Sequence, residues 1–65
     1  MKYSLSFISV LTNKLIELNT DDLIKYYLSW RNEFLTIDRF AEYYNFTRYE
    51  ASRIIDVGRS ANEPE

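Results

Sequence analysis

Helix-start and helix-end signals between residues 36 and 59 constrain the fold of this chain more than any other feature. Thr36 can cap a helix, because its hydroxyl oxygen accepts a hydrogen bond from an unpaired N–H group of the first turn. Asn45 tolerates the left-handed backbone conformation in which many helices end. Leu35 and Phe40 occupy the two positions of a hydrophobic staple. Between the caps, apolar residues recur every three or four positions and share one face, which predicts a helix over residues 37–44: Ile37, Phe40, Ala41 and Tyr44.

A second helix is predicted shortly after the first. Thr47 and Glu50 have the spacing of a capping box, in which each residue's side chain accepts a bond from the other's N–H group. Gly58 is a residue type at which helices commonly end. These signals predict a helix over residues 47–58, joined to the first by a tight turn. Its apolar residues form one inward face: Ala51, Ile54 and Ile55.

The span from Ile37 to Asp56 resembles the DNA-binding helix-turn-helix. That motif places a small residue where its helices pack closely, here Ala41, and Gly or a substitute at the turn followed by an apolar residue, here Asn45 and Phe46. The string E-A-S-R-I-I is similar to the recognition helices of small bacterial repressors. The resemblance covers about a third of the chain. It implies a small bacterial, phage or plasmid regulator that binds specific DNA sequences with its second helix in a major groove.

Residues 3–18 allow two interpretations. The run from Tyr3 to Phe7 alternates between apolar and polar residues, which is the pattern of a short strand. A longer pattern with a spacing of three or four is that of a helix with a coiled-coil-like stripe, and we therefore predict a helix over residues 4–18, with an extended start as the alternative. The stripe consists of Leu5, Ile8, Leu11, Leu15 and Leu18.

A further helix is predicted over residues 20–33. Asn19 and Thr20 can cap it, and Asp21 and Asp22 stabilise its positive N-terminal end. The expected fold is thus all-α, a small four-helix bundle without a sheet, with the helix-turn-helix at residues 36–59 as its C-terminal part. Residues 1–59 would form a single helical domain, and the polar residues 60–65 a disordered tail.

Composition excludes several classes of function. With no Cys and no His among 65 residues, the chain cannot form a disulfide or a Cys/His zinc site, and a nucleophile would lack its usual base. A single Gly rules out a Gly-rich phosphate loop. We therefore predict no enzyme activity, no cofactor and no metal. No apolar run is long enough to span a membrane, and the thiol-free composition suits the cytoplasm.

The balance of acidic and basic residues argues against binding of nucleic acid through a basic surface. Residues 1–35 and residues 36–59 each carry four basic and four acidic residues, so the formal charge of −2 comes from Glu63 and Glu65. Phosphate binding normally depends on a basic field. The charge balance of this chain does not provide one overall.

The last predicted helix nevertheless has an outward face suited to a groove. Arg can bond guanine through two hydrogen bonds or hold a phosphate, and Ser and Tyr can reach phosphates or base edges. The alternative is a solvated face on which Arg53 pairs with Glu50 or Asp56, three residues away on either side. Counting about 100° per residue from Ala51 at the centre of the buried side places Tyr49, Arg53 and Asp56 directly outward. Arg48, Ser52 and Arg59 share one flank. The predicted DNA-binding residues are Thr47, Arg48, Tyr49, Ser52, Arg53 and Arg59.

Aromatic residues form the second candidate site. Tyr26, Trp30 and Tyr43 are the predicted interface residues, because aromatic side chains are enriched in protein contacts. Core packing is the alternative and is favoured for Trp30. With the stripe at residues 5–18, these aromatics predict a homodimer, which a single DNA-binding module of this size needs for useful affinity. The alternative function is a small helical interaction or inhibitor module that binds a protein partner through its aromatic or acidic surface.

Overall fold

The computed structural model describes residues 3–62, which form a β-hairpin followed by three helices. The hairpin pairs β1, Ser4–Ile8, with β2, Leu15–Asn19, in antiparallel orientation. The helices are α1, Thr20–Glu33, α2, Ile37–Tyr44, and α3, Arg48–Asn62. The predicted all-α four-helix bundle is therefore wrong, because its first helix is a hairpin. The helices predicted second and third are confirmed with the predicted bounds.

Alternation along the two strands explains why the hairpin replaces the helix predicted over residues 4–18. Alternate side chains face the helices, with Leu5 opposite Leu18 and Phe7 opposite Ile16, and all four pack in or against the core. A period of two therefore directs these apolar residues to one face. The outer face carries the exposed residues Ser4, Ser6, Ile8, Leu15, Glu17 and Asn19.

Two main-chain hydrogen bonds close the turn that connects the strands. The Ser9 N–H donates to the Lys14 carbonyl at 2.9 Å, and the Ser9 carbonyl accepts from the Asn13 N–H at 2.8 Å. Asn13 has a φ of 52°, a left-handed conformation that Asn tolerates better than most residues. Residues 9–14, which the helical pattern placed within one continuous helix, thus form a tight loop.

Helix α3 continues past Gly58, where the sequence predicted its end. Gly58 has a helical backbone without positive φ, and it lies where α3 packs against α1. A Cβ atom there would clash with the carbonyl oxygen of Leu23 and lie 2.8 Å from the Cβ of Tyr27. The helix runs to Asn62, so residues 60–62 of the predicted disordered tail are helical, whereas residues 63–65 lie outside the described residues.

The core lies between the inner face of the hairpin and the three helices. Fully buried Phe40 makes edge-to-face contacts with Tyr26 and Phe34, at ring-centroid distances of 6.0 and 5.7 Å. Phe34, rather than the predicted Leu35, contacts Phe40. Leu35 is 97 % exposed, so the predicted hydrophobic staple between Leu35 and Phe40 does not form. The buried apolar residues are Leu18, Leu23, Tyr27, Phe40, Ala41, Phe46, Ala51, Ile54 and Ile55.

Candidate nucleic-acid interface

Two main-chain hydrogen bonds cap the C-terminal end of α2. Asn45 has a φ of 62°, which is the left-handed conformation predicted for it. The Phe46 N–H donates to the Ala41 carbonyl at 2.8 Å, and the Asn45 N–H donates to the Glu42 carbonyl at 3.4 Å. These two bonds form a Schellman motif. Phe46, the residue after Asn45, is buried in the core. The chain therefore turns sharply between the end of α2 and the start of α3.

The predicted capping box at the start of α3 is confirmed. The Glu50 N–H donates to Thr47 Oγ1 at 3.1 Å, and the Thr47 N–H donates to Glu50 Oε1 at 2.9 Å. The other carboxylate oxygen, Oε2, accepts from the Val10 N–H in the hairpin turn at 2.9 Å. Glu50 is consequently only 5 % exposed although its side chain is acidic. Sequence reasoning missed the third bond, because a capping box gives no sign of a distant donor.

Thr47→Ala should lower the free energy of unfolding by about 1 kcal/mol, because it removes the oxygen that accepts the Glu50 N–H. Urea unfolding followed by circular dichroism measures this change. Thr12→Ala, at an exposed position in the hairpin turn, is the matched control and should stay within about 0.5 kcal/mol of the parent. Equal stability of Thr47→Ala and the parent would show that the cap does not stabilise α3.

Five of the six predicted DNA-binding residues are exposed on α3. They are Arg48, Tyr49, Ser52, Arg53 and Arg59. The sixth, Thr47, precedes the helix and is half-buried, and its hydroxyl oxygen already accepts the Glu50 N–H. The buried residues of α3 point to the opposite side, so the helix presents one uncovered face.

Ion pairs neutralise part of this face. Arg48 Nε lies 3.5 Å from Asp38 Oδ1 of α2, and an Arg59 guanidinium nitrogen lies 3.3 Å from Asp56 Oδ1. Arg53 is exposed and forms no ion pair with any residue between 3 and 62. The partners considered for it from sequence are engaged elsewhere, one in the capping box and one with Arg59. Arg53 therefore has an uncompensated charge within the described structure.

The three predicted interface aromatics have different environments. Tyr26 is half-buried, and burial together with nearby Tyr44 and Asp22 raises the pKa of its hydroxyl above the ordinary value. Trp30 is half-buried against the core, as the packing alternative expected. Tyr43 is 71 % exposed. Tyr43 alone among the three presents most of its side chain to solvent.

Tyr43 borders an open groove that sequence reasoning did not identify. The groove has a volume of about 710 Å³ and lies beside the connection between α1 and α2. Half-buried Phe34 and fully exposed Leu35 are its apolar lining residues. Its charged lining residues are Glu33, Arg39 and Glu42. A protein segment with an apolar side chain could occupy such a groove.

A second exposed apolar surface lies at the end of the hairpin, and we call it the hairpin patch. Three of its members belong to the stripe predicted for a helix, and the other two stripe residues, Leu5 and Leu18, instead face the core. The stripe is therefore split between the core-facing side of the hairpin and the exposed residues of its outer face and turn. The hairpin patch consists of Ile8, Val10, Leu11 and Leu15, which are 57, 76, 59 and 54 % exposed.

Two further kinds of site are absent from residues 3–62. No group of three or more acidic, His or Cys side chains in this range is placed to hold a metal ion. No helix in the same range is long and apolar enough to cross a membrane.

The chain was also compared with known proteins. Comparison with protein-family models, with curated proteins and with solved structures gives no match in any of the three. Its function must therefore be inferred from the geometry and charge of the surfaces described above.

Proposed function

We propose that this protein is a small helix-turn-helix DNA-binding regulator, without catalytic activity, that acts as a homodimer in the cytoplasm. One observation carries the proposal: the Schellman turn and the capping box join α2 to α3 while the outward face of α3 stays uncovered. A helix that enters a major groove needs such a face, with polar side chains near its N-terminal end.

Arg53 is the proposed reader of a base. It is exposed, lies within the first half of α3 and has no ion-pair partner among the described residues. An Arg in this situation can donate two hydrogen bonds to the O6 and N7 atoms of guanine. Tyr49 and Ser52 are exposed beside it and can contact neighbouring bases or phosphates.

Arg48 is the proposed phosphate contact. Its ion pair with Asp38 joins side chains that are 79 and 68 % exposed, and such pairs contribute only about 0–1 kcal/mol. A phosphate can therefore replace Asp38 at little cost. The N-terminus of α3 is a poor phosphate site itself, because the Glu50 carboxylate already accepts a hydrogen bond there and would repel an anion.

Substitution of the two arginines should separate these roles. Arg53→Ala should weaken binding to a preferred site by about 1–3 kcal/mol and relax the preference at one base pair. Arg48→Ala should weaken binding to all duplexes alike and lower the slope of log K against log salt by about one. Selection from random duplexes at low salt, followed by titrations of the retained sequence at several salt concentrations, measures both effects.

Two further variants serve as controls for charge. Lys25→Ala removes one positive charge from an exposed position on α1 and should leave the base preference unchanged. Asp38→Asn releases Arg48 from its ion pair and should strengthen binding to all duplexes. If the parent protein retains no duplex at low salt, the DNA-binding proposal is wrong.

Binding of a protein partner is the second candidate function. Ion pairs neutralise Arg48 and Arg59, and the groove beside Leu35 and Tyr43, which no residue of α3 lines, exposes apolar side chains. Both observations suit an interaction or inhibitor module better than a phosphate-binding surface. Failure of the duplex selection, with the chain shown to be folded by circular dichroism, would favour this second function.

A further inference from the structure

The hairpin patch is an apolar surface that the fold of one chain leaves uncovered. Ile8 and Leu15 are directly opposite each other in the register of the strands and lie on the outer face of the hairpin. Val10 and Leu11 follow in the turn, and all four side chains are more than half exposed. Isolated exposed apolar residues are common, whereas several large ones at the same end of a hairpin indicate an interaction surface.

We infer that the hairpin patch is the contact surface between two copies of this chain, related by a two-fold axis near Ile8 and Leu15. Lys14 and Glu17 flank Leu15 on opposite sides along the chain, and both are exposed without an ion pair among residues 3–62. An axis beside Leu15 brings Lys14 of one copy towards Glu17 of the other. The surface is thus complementary to itself in charge as well as in apolar character.

The area that the hairpin patch would bury indicates which class of interface the dimer belongs to. The four exposed side chains and their polar surroundings would bury on the order of 1,000 Å² in total, which is at the weak end of specific protein interfaces. We therefore expect a reversible dimer rather than a permanent one. The charges of Lys14 and Glu17 beside the hairpin patch cancel. Anionic membranes attract basic surfaces, so such a membrane is disfavoured as the partner of this patch.

The same surface is linked to α3 through the main chain. Val10 belongs to the hairpin patch, and its N–H donates to the Glu50 carboxylate at the start of α3. A two-fold contact at the hairpin patch would therefore also fix the relative orientation of two α3 helices. The dimer contact rests on the homodimer of the proposed function and names its surface, but it is independent of DNA binding, because it uses none of the residues on the outward face of α3.

Sedimentation equilibrium of the full chain without DNA, from micromolar to hundreds of micromolar concentrations, tests the inference. The parent should show a reversible monomer–dimer equilibrium. Ile8→Thr/Leu15→Thr, which keeps residues of high strand propensity, should be monomeric throughout with an unchanged circular dichroism spectrum. Leu35→Thr, at a position that is 97 % exposed outside the hairpin patch, is the matched control and should dimerise like the parent.

A charge exchange gives an independent test if the double variant does not fold. Lys14→Glu should weaken the dimer several-fold, and adding Glu17→Lys should restore it. A parent that stays monomeric, a dimer that survives the Ile8→Thr/Leu15→Thr change, or a failure of the charge exchange to restore association would each overturn the inference. Binding of a monomeric parent to phosphatidylcholine vesicles, lost in the double variant, would assign the surface to a membrane instead. Because no DNA is present, none of these results affects the duplex selection.

Discussion

Gly58→Ala is expected to lower the free energy of unfolding by about 2–3 kcal/mol, although alanine has the higher intrinsic helix propensity by about 1 kcal/mol. The new Cβ would clash with the carbonyl oxygen of Leu23 and lie 2.8 Å from the Cβ of Tyr27. A backbone oxygen within a helix cannot move aside alone, so α1 and α3 must separate. The loss is large for a domain of this size, whose total stability is about 3–10 kcal/mol.

Urea unfolding followed by circular dichroism measures the effect of Gly58→Ala. The matched control is Ser60→Ala, which places the same residue at an exposed position of the same helix and should change stability by less than about 0.5 kcal/mol. Parent-like stability of Gly58→Ala would show that α1 and α3 are farther apart at this point than the structure has them.

Gly58 also illustrates what sequence reasoning could not resolve. A glycine after a helical pattern can end the helix or permit another helix to approach closely, and the local sequence is compatible with both roles. The choice depends on Leu23 and Tyr27, which lie more than thirty residues earlier in the chain. The sequence does not specify this crossing, so the predicted end of the helix lies before the observed one at Asn62.

The hairpin was missed for a related reason. Residues 5, 8, 11, 15 and 18 match a helical spacing, while residues 5, 7, 16 and 18 match the inner faces of two paired strands. Both patterns occur in the same segment, and the helical one is the longer, which is why the sequence predicts a helix. The turn that the Ser9–Lys14 and Ser9–Asn13 bonds close contains no Gly and no Pro, so the strongest turn signals are absent.

The α2–turn–α3 unit, by contrast, could be predicted because its determinants are local. Asn45 at the left-handed position and the bonds between Thr47 and Glu50 depend on residues at most three apart. The outward placement of Arg48 and Arg53 followed from helical geometry alone. The ion-pair partner of Arg48 did not, because Asp38 belongs to another helix. The exposure of these α3 side chains could thus be predicted from the sequence, but the ion pairs that neutralise part of the face could not.

Glu50→Ala should produce the other large effect, a loss of about 2–4 kcal/mol in the free energy of unfolding. The carboxylate accepts hydrogen bonds from the Thr47 and Val10 N–H groups, both at 2.9 Å, and bonds to charged groups contribute about 1.5–3 kcal/mol each. Some of that contribution is offset, because the variant no longer has to bury a charged group. Alanine is itself a good helix former, so the loss would not arise from helix propensity.

Comparison with Glu50→Gln and Thr47→Ala separates the contributions. Glu50→Gln keeps one side-chain oxygen acceptor and should lose less stability than Glu50→Ala, whereas Thr47→Ala should lose only about 1 kcal/mol. Hydrogen exchange locates the change: in Glu50→Ala the Val10 amide should exchange faster, while the Ser9 amide, bonded to the Lys14 carbonyl, serves as the internal reference. If Glu50→Ala is no less stable than Thr47→Ala and the Val10 amide stays protected, Glu50 does not join the hairpin to α3. In that case the hairpin patch would no longer be rigidly coupled to the outward face of α3.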